Sequence, residues 1–160
     1  MIRSRLLLVL CPLLFVAGCR SPKPDPMNEP LVARFFLESR PGETGALMQL
    51  PVSRVGITVN PQPVFVESDI VGAELVRVNL GWCIRVRFTP AAARDLYRLT
   101  AASLGRRLVL TFNDLPAGAR RIEQAMPEGA LLIFVEVDDL NLPPLVERLK
   151  RTSAVIAQRK

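Results

Sequence analysis

From Leu31 to Ser39, apolar Leu31, Ala33, Phe35 and Leu37 alternate with Val32, Arg34, Phe36 and Glu38. That is the period of a β-strand whose outer face is itself partly apolar. Pro41-Gly42-Glu43-Thr44-Gly45 reads as a loop, and Val55 to Val59 as a short strand. Asn60-Pro61-Gln62-Pro63 makes an extended connector, because proline has no amide proton to give a central ladder. Val64 to Val66 predicts a short edge, and Glu67 to Val71 a turn.

Between Glu74 and Leu80 the alternation places Val76, Val78 and Leu80 on one face. Past Gly81, Trp82, Ile84, Val86 and Phe88 continue it, with Cys83, Arg85 and Arg87 on the opposite side. The pattern predicts a β-hairpin with one face in the core. Thr89-Pro90 then supplies a helix start, threonine as N-cap and proline at the first helical position. Ala93, Leu96, Tyr97, Thr100 and Leu104 recur at helical spacing, so a helix over about 90–104 is expected, capped by Gly105.

Strand signal returns in Arg107 to Phe112, followed by an Asn113-Asp114 turn and a weaker extended stretch, Ala119 to Glu123. Ala130 to Val137 is apolar on both faces, as a central strand would be. Asn141-Leu142-Pro143-Pro144 opens a last helix, about 143–158, with Leu145, Leu149, Thr152 and Ile156 on one stripe. Together these elements predict an α+β fold: a mainly antiparallel sheet with two principal helices packed on it.

The segment before Leu31 carries a different message. Arg3 and Arg5 precede an apolar run, Leu6 to Val16, and Ala17-Gly18 are the small residues of a cleavage site. The run is too short for a membrane span and has the flanks of a signal peptide. Val16-Ala17-Gly18-Cys19 resembles a lipoprotein lipobox, with Val where Leu is commoner. The resemblance implies a signal over 1–18, lipidation at Cys19 and a membrane-anchored protein on the outer side of the cytoplasmic membrane. An ordinary secretory peptide with a chance cysteine is the alternative. Residues 19–30 hold four prolines and few apolar side chains, the composition of an extended tether. About 130 residues, 31–160, remain for a single domain. Arg20 after Cys19, where an Asp would retain a lipoprotein at the inner membrane in some bacteria, favours the outer membrane under that rule.

The formal charge is +6, and +4 once Arg3 and Arg5 leave with the signal. Basic residues are dispersed apart from Arg106-Arg107, Arg120-Arg121 and the tail from Lys150 to Lys160. Without a dense basic stripe or interleaved aromatics, no nucleic-acid partner is expected. The basic tail suits either a solvated helix face or contact with anionic lipid.

The chain contains no histidine. That excludes Ser-His and Cys-His nucleophile pairs and histidine-rich zinc sites. Of three cysteines, Cys11 falls in the signal and Cys19 takes lipid, which leaves Cys83 without an internal disulfide partner. Arg85 and Arg87 share its face, so a reactive thiol competes with a small residue on a covered sheet face. Glu136, Asp138 and Asp139 suit weak cation binding or the start of a helix, whose dipole favours carboxylates. No glycine-rich phosphate loop is present. The chain is therefore read as non-enzymatic, with no catalytic, cofactor or metal residue. Phe35, Phe36 and Trp82 are the candidate partner-binding residues, with burial in the core as the competing role.

The order from Glu67 to Phe134 resembles the head of the first periplasmic domain of SecD, the accessory membrane protein of the Sec translocase. Asp69-Ile70 with Ala73, the run Ala93 to Thr100, Gly105-Arg106-Arg107-Leu108-Val109-Leu110, Ile122 and Gly129 carry the likeness. It covers just under half of the chain, about 67–137. It implies a head-domain fold and contact with unfolded or envelope proteins. SecD's membrane bundle has no counterpart here, so a proton-driven motor is not implied. The family's Asp-Gly turn stands here as Asn113-Asp114-Leu115, with Gly118 later. The expected function is protein binding in secretion or envelope assembly, with Sec components or unfolded exported chains as partners. The alternative is a structural lipoprotein that touches membrane or cell-wall material through its basic C-terminal helix.

Overall fold

Asn113 and Asp114 both adopt positive φ, 48° and 66°. That is the backbone of a tight hairpin turn matched to strand twist, and both residue types tolerate it. The turn joins β6, Arg107–Phe112, to β7, Leu115–Arg121. In a computed structural model that describes residues 29–158, β1 (Ala33–Leu37) pairs with β6 on its other edge. β4 (Ile70–Val78) and β5 (Gly81–Phe88) form a second hairpin, and β8 (Ala130–Ile133) lines the far side of β5. β2 (Ala46–Gln49) and β3 (Gly56–Val59) form a third. Every strand pair is antiparallel. The expected signal over 1–18, the expected lipidation site Cys19, Arg20 and most of the expected tether lie outside the described residues, as do Arg159 and Lys160.

Helix α1, Pro90–Ala102, begins as expected, the Thr89 hydroxyl accepting from the Ala92 amide at 3.3 Å. Helix α2 spans Leu142–Gln158. Both bury their apolar sides with Phe35, Leu37, Ile84, Val86, Leu108, Leu110 and Ile133 in one core. Phe35, Phe65 and Phe88 stack at its centre, with ring centroids 4.9–6.4 Å apart. The architecture is α+β, and its elements share this core from Leu31 to Leu149.

The main sheet is assembled by short bridges. Gly118 pairs with Val135, which ties β7 to the segment after β8, and Glu38 pairs with Val59, which ties β1 to β3. The β2–β3 hairpin then lies over the back of β1–β6–β7, burying Phe36, Leu50, Ile57, Val59 and Val109 as a second cluster.

Several details depart from the sequence pattern. The strand β2 falls where only a loop end was legible, because Ala46, Leu47 and Gln49 are exposed and leave no alternation. The β4–β5 register pairs Ala73 with Val86 and Leu75 with Ile84. Ala73 and Leu75, rather than Val76 and Val78, thus share the core face, and Leu80 is exposed in the turn. On α1 the buried stripe is Ala92, Leu96 and Thr100 and Tyr97 faces outward, and the helix ends at Ala102 with Ser103 as its cap, short of the exposed Leu104. On α2 Val146 and Ser153 join Leu149 and Thr152 in burial, with Leu145 and Ile156 only half-buried. The expected central strand over 130–137 stops at Ile133 and continues as the bridge at Val135.

Candidate partner-binding surface

The three aromatic candidates separate. Phe35 is fully buried in the main core, and Phe36 is buried under the β2–β3 hairpin. Both rings thus take the competing role, burial in the core. Phe36 is covered by a hairpin, an arrangement that its alternation could not distinguish from a helix or an exposed patch. Trp82 does reach the surface, at 38 % exposure. It shares the face of Ile84 but lies near the hairpin tip, so alternation assigns its face correctly and its burial wrongly. Its cross-strand partner Arg77 holds a guanidinium 5.7 Å from the indole centroid.

Cys83 shows the reverse. It faces away from the main core, yet is only 1 % exposed. Burial pushes its thiol above the ordinary range, against the opposing pull of the Arg120 and Arg85 guanidiniums. The thiolate is disfavoured, and the thiol is shielded. Chemistry that needs an accessible nucleophile has little to work with here.

The outer face of β4–β5–β8 is mixed in character. Glu74 and Arg85 pair across the strands at 3.1 Å. The Arg87 guanidinium lies against Gly72, where a Cβ would come within 3.1 Å of its Nη2. Leu132 is half-buried in the row of Arg85, and Phe134, just past β8, is 38 % exposed. At the seam with β7, Arg120 donates from Nη1 to the Leu132 carbonyl at 2.7 Å. Arg85, Arg120, Gln124, Glu128 and Leu132 line a cleft of about 180 Å³ there.

A wider cleft, about 530 Å³, lies beside Glu38, Arg40, Glu43, Arg106 and Arg107. Two of its charges are mutually satisfied: Arg107 binds the Glu38 carboxylate through two nitrogens. Arg106 donates to the Glu38 carbonyl. The Arg107 hydrogen bonds hold the Glu38 carboxyl below the usual carboxylate range, over the opposing cost of burial. This group locks β1 to the start of β6.

Glu136 acts as a clamp. Its carboxylate accepts from the Val52 and Ser53 amides at 2.7 and 2.9 Å, which ties the β2–β3 turn to the segment after β8. Burial works against its charge, but hydrogen bonds from Ser53 and from the Val52 amide outweigh it and keep the carboxyl low. Asp138 caps the short helical turn Asp139–Asn141 by accepting from the Leu140 amide. These roles account for the acidic residues that the sequence left between cation binding and capping.

Among the described residues β2 ends a two-stranded sheet with Leu47 74 % exposed, whereas β4, which ends another sheet, packs against α2. An exposed edge such as that of β2 can accept an extended chain through main-chain hydrogen bonds. Sequence reasoning missed Arg120 and Glu38 as organising residues. The run Ala117-Gly118-Ala119 was the available signal for Arg120, since small residues permit two strands to approach closely.

No helix among the described residues is long and apolar enough to cross a membrane. No protein-family model matches the sequence, and no curated protein matches it. Solved structures do. The chain is similar to SecDF in its super-membrane-facing form, with TM-score 0.59 and 19 % identity, over 75 % of this chain and 18 % of that one. It is also similar to a SecDF described as a membrane component that enhances protein export, with TM-score 0.58 and 19 % identity, over 76 % and 62 %. The chain thus spans less than two thirds of either protein. At this identity the likeness is one of fold, and it agrees with the resemblance to the SecD periplasmic head that the sequence carries.

Proposed function

We propose that this chain is an envelope lipoprotein, anchored through Cys19 and facing the periplasm, that binds extended or unfolded polypeptide as an accessory to protein export or envelope assembly. The observation that carries the reading is the fold shared with SecDF over three quarters of the chain. The exposed Trp82 and the exposed edge strand β2 support it, since they offer an aromatic contact and sequence-tolerant main-chain pairing. The binding is non-enzymatic and uses no cofactor. Residues 1–18 serve as signal, 19–30 as tether and 31–160 as one binding domain, with outer-membrane placement favoured by Arg20. Trp82 is the single tryptophan, so its fluorescence reports directly on its own surface. Full-length protein in detergent should change its emission when a tryptophan-free unfolded exported polypeptide is added, and not when the same polypeptide is folded. Indifference to both would reject the reading.

A second reading has its own observation. On α2, Lys150, Arg151, Ala154 and Val155 are exposed, and Arg148 donates to the Glu29 carbonyl at 3.4 Å, so the chain enters the fold beside this helix. A tether leaving there would hold the basic face near lipid or wall material, the arrangement of a structural lipoprotein. Flotation of unlipidated protein with anionic vesicles, with and without residues 145–160, separates the two.

A further inference from the structure

Arg120 is unusual for a guanidinium drawn into a fold. Its Nη1 has the Leu132 carbonyl, but its Nε is buried and has no hydrogen-bond partner. Among the described residues no carboxylate lies within ion-pair distance of it. A buried donor without an acceptor, on a cation without a counter-charge, is costly in a native structure and calls for a physical reason. Gly118 lets β7 run against the backbone at Phe134 and Val135, and Arg120 lies two residues further along the same strand.

A second guanidinium lines the same cleft. Arg85 pairs with Glu74 through one nitrogen, Nη1, on one oxygen, and its side chain is 45 % exposed. Arg85 stands opposite Leu132 across the strands and Arg120 bonds the Leu132 carbonyl, so both side chains reach the same part of the sheet. Gln124 adds an amide to the lining, and Leu132, Ala130 and Met126 give it an apolar part. Glu128 is on the lining but bonds to neither arginine. The cleft therefore pairs two positive charges and an unmet donor with walls that exclude some water, and planar guanidiniums match carboxylate geometry.

We propose that the cleft between Arg85 and Arg120, at the seam of β5–β8 with β7, is a binding site for a carboxylate. The carboxylate has two chemical sources: an acidic side chain of a bound polypeptide, or a free small organic acid. The first deepens the polypeptide-binding reading and rests on it; the second does not.

The test uses isotope-labelled full-length protein and three probes: sodium acetate, a short unstructured peptide with an amidated C-terminus and one Glu as its sole carboxylate, and the same peptide with Gln in its place. Acetate and the Glu peptide should shift the amides of Arg120, Gln124, Met126, Glu128 and Leu132, and the Gln peptide should not. Arg85→Gln should weaken the Glu peptide about tenfold, the loss of one charge-assisted hydrogen bond. Arg120→Gln should do the same, but it also removes a bond between strands. Arg85 is exposed, so its variant keeps the test clear of folding defects. A Glu peptide tighter than acetate assigns the site to polypeptide, and equal affinity assigns it to a free acid. Equal shifts from the Glu and Gln peptides, no shift from any probe, or an undiminished Arg85→Gln response would overturn the proposal. Equal binding of the two peptides would do so while leaving polypeptide binding itself intact.

Discussion

Arg107 grips Glu38 at the junction of β1 and β6, with Nη2 to Oε1 at 2.6 Å and Nε to Oε2 at 3.1 Å, while its own amide donates to Oε2 at 2.8 Å. The pair is two-pronged and its carboxylate is mostly shielded, which distinguishes it from an ordinary surface ion pair. Glu38→Gln should cost about 1–2 kcal/mol at neutral pH, a value discounted for partial exposure. The native carboxyl titrates below its unfolded value. Its contribution is therefore complete above about pH 4.3 and fades as pH falls through the lower native value. Urea unfolding at pH 7 and pH 3 should show the gap between wild type and variant closing in acid.

Gly118 and Gly72 make a contrasting pair. A Cβ at Gly118 would collide with the Phe134 carbonyl and lie 2.9 Å from Val135 Cα, both backbone atoms that cannot step aside. At Gly72 it would meet only the end of the Arg87 side chain. Gly118→Ala should destabilise by more than about 3 kcal/mol, and Gly72→Ala by less than about 1 kcal/mol. Thermal or urea melts of the two variants decide it.

Thr100 holds the loop after β7 against α1. Its hydroxyl donates to the Leu96 carbonyl at 2.7 Å and accepts from the Met126 amide at 3.0 Å, all in a buried setting. Thr100→Val keeps the shape and orphans that amide. The expected cost is about 1–2 kcal/mol, with faster hydrogen exchange at Met126 than at the core strands.

Cys83 should behave as a sealed thiol. Its burial and raised pKa predict that a thiol reagent modifies native protein only as fast as the protein opens, and unfolded protein at once. Rapid labelling of the native state would point to an accessible, activated cysteine.

Much of this fold was legible because its strongest signals are local. Thr89-Pro90 carries its own cap, β6 occupies Arg107–Phe112 as its pattern predicts, and Asn113-Asp114 makes the turn between β6 and β7. The failures are tertiary. Turn length at Asn79-Leu80 sets which residues of β4 oppose Ile84 and Val86, and alternation within β4 alone cannot report it. Trp82 and Cys83 exchange their expected burial because one lies near a hairpin tip and the other lies within the sheet. Phe36 needed knowledge of a hairpin ten or more residues away, whose strand β2 is mostly exposed. Arg120 gains its meaning only from the approach of β8, across a seam that no period in the sequence marks.

The account turns on whether the Trp82 face meets polypeptide in the cell. A photo-crosslinking residue placed at position 82 of the full-length protein, with a control at solvent-facing Arg94 on α1, measures this directly in intact cells. The account predicts adducts from position 82 with Sec components or unfolded exported chains, and none of these from position 94. Adducts only with lipid-proximal or wall-associated proteins, or the same adducts from both positions, would contradict it.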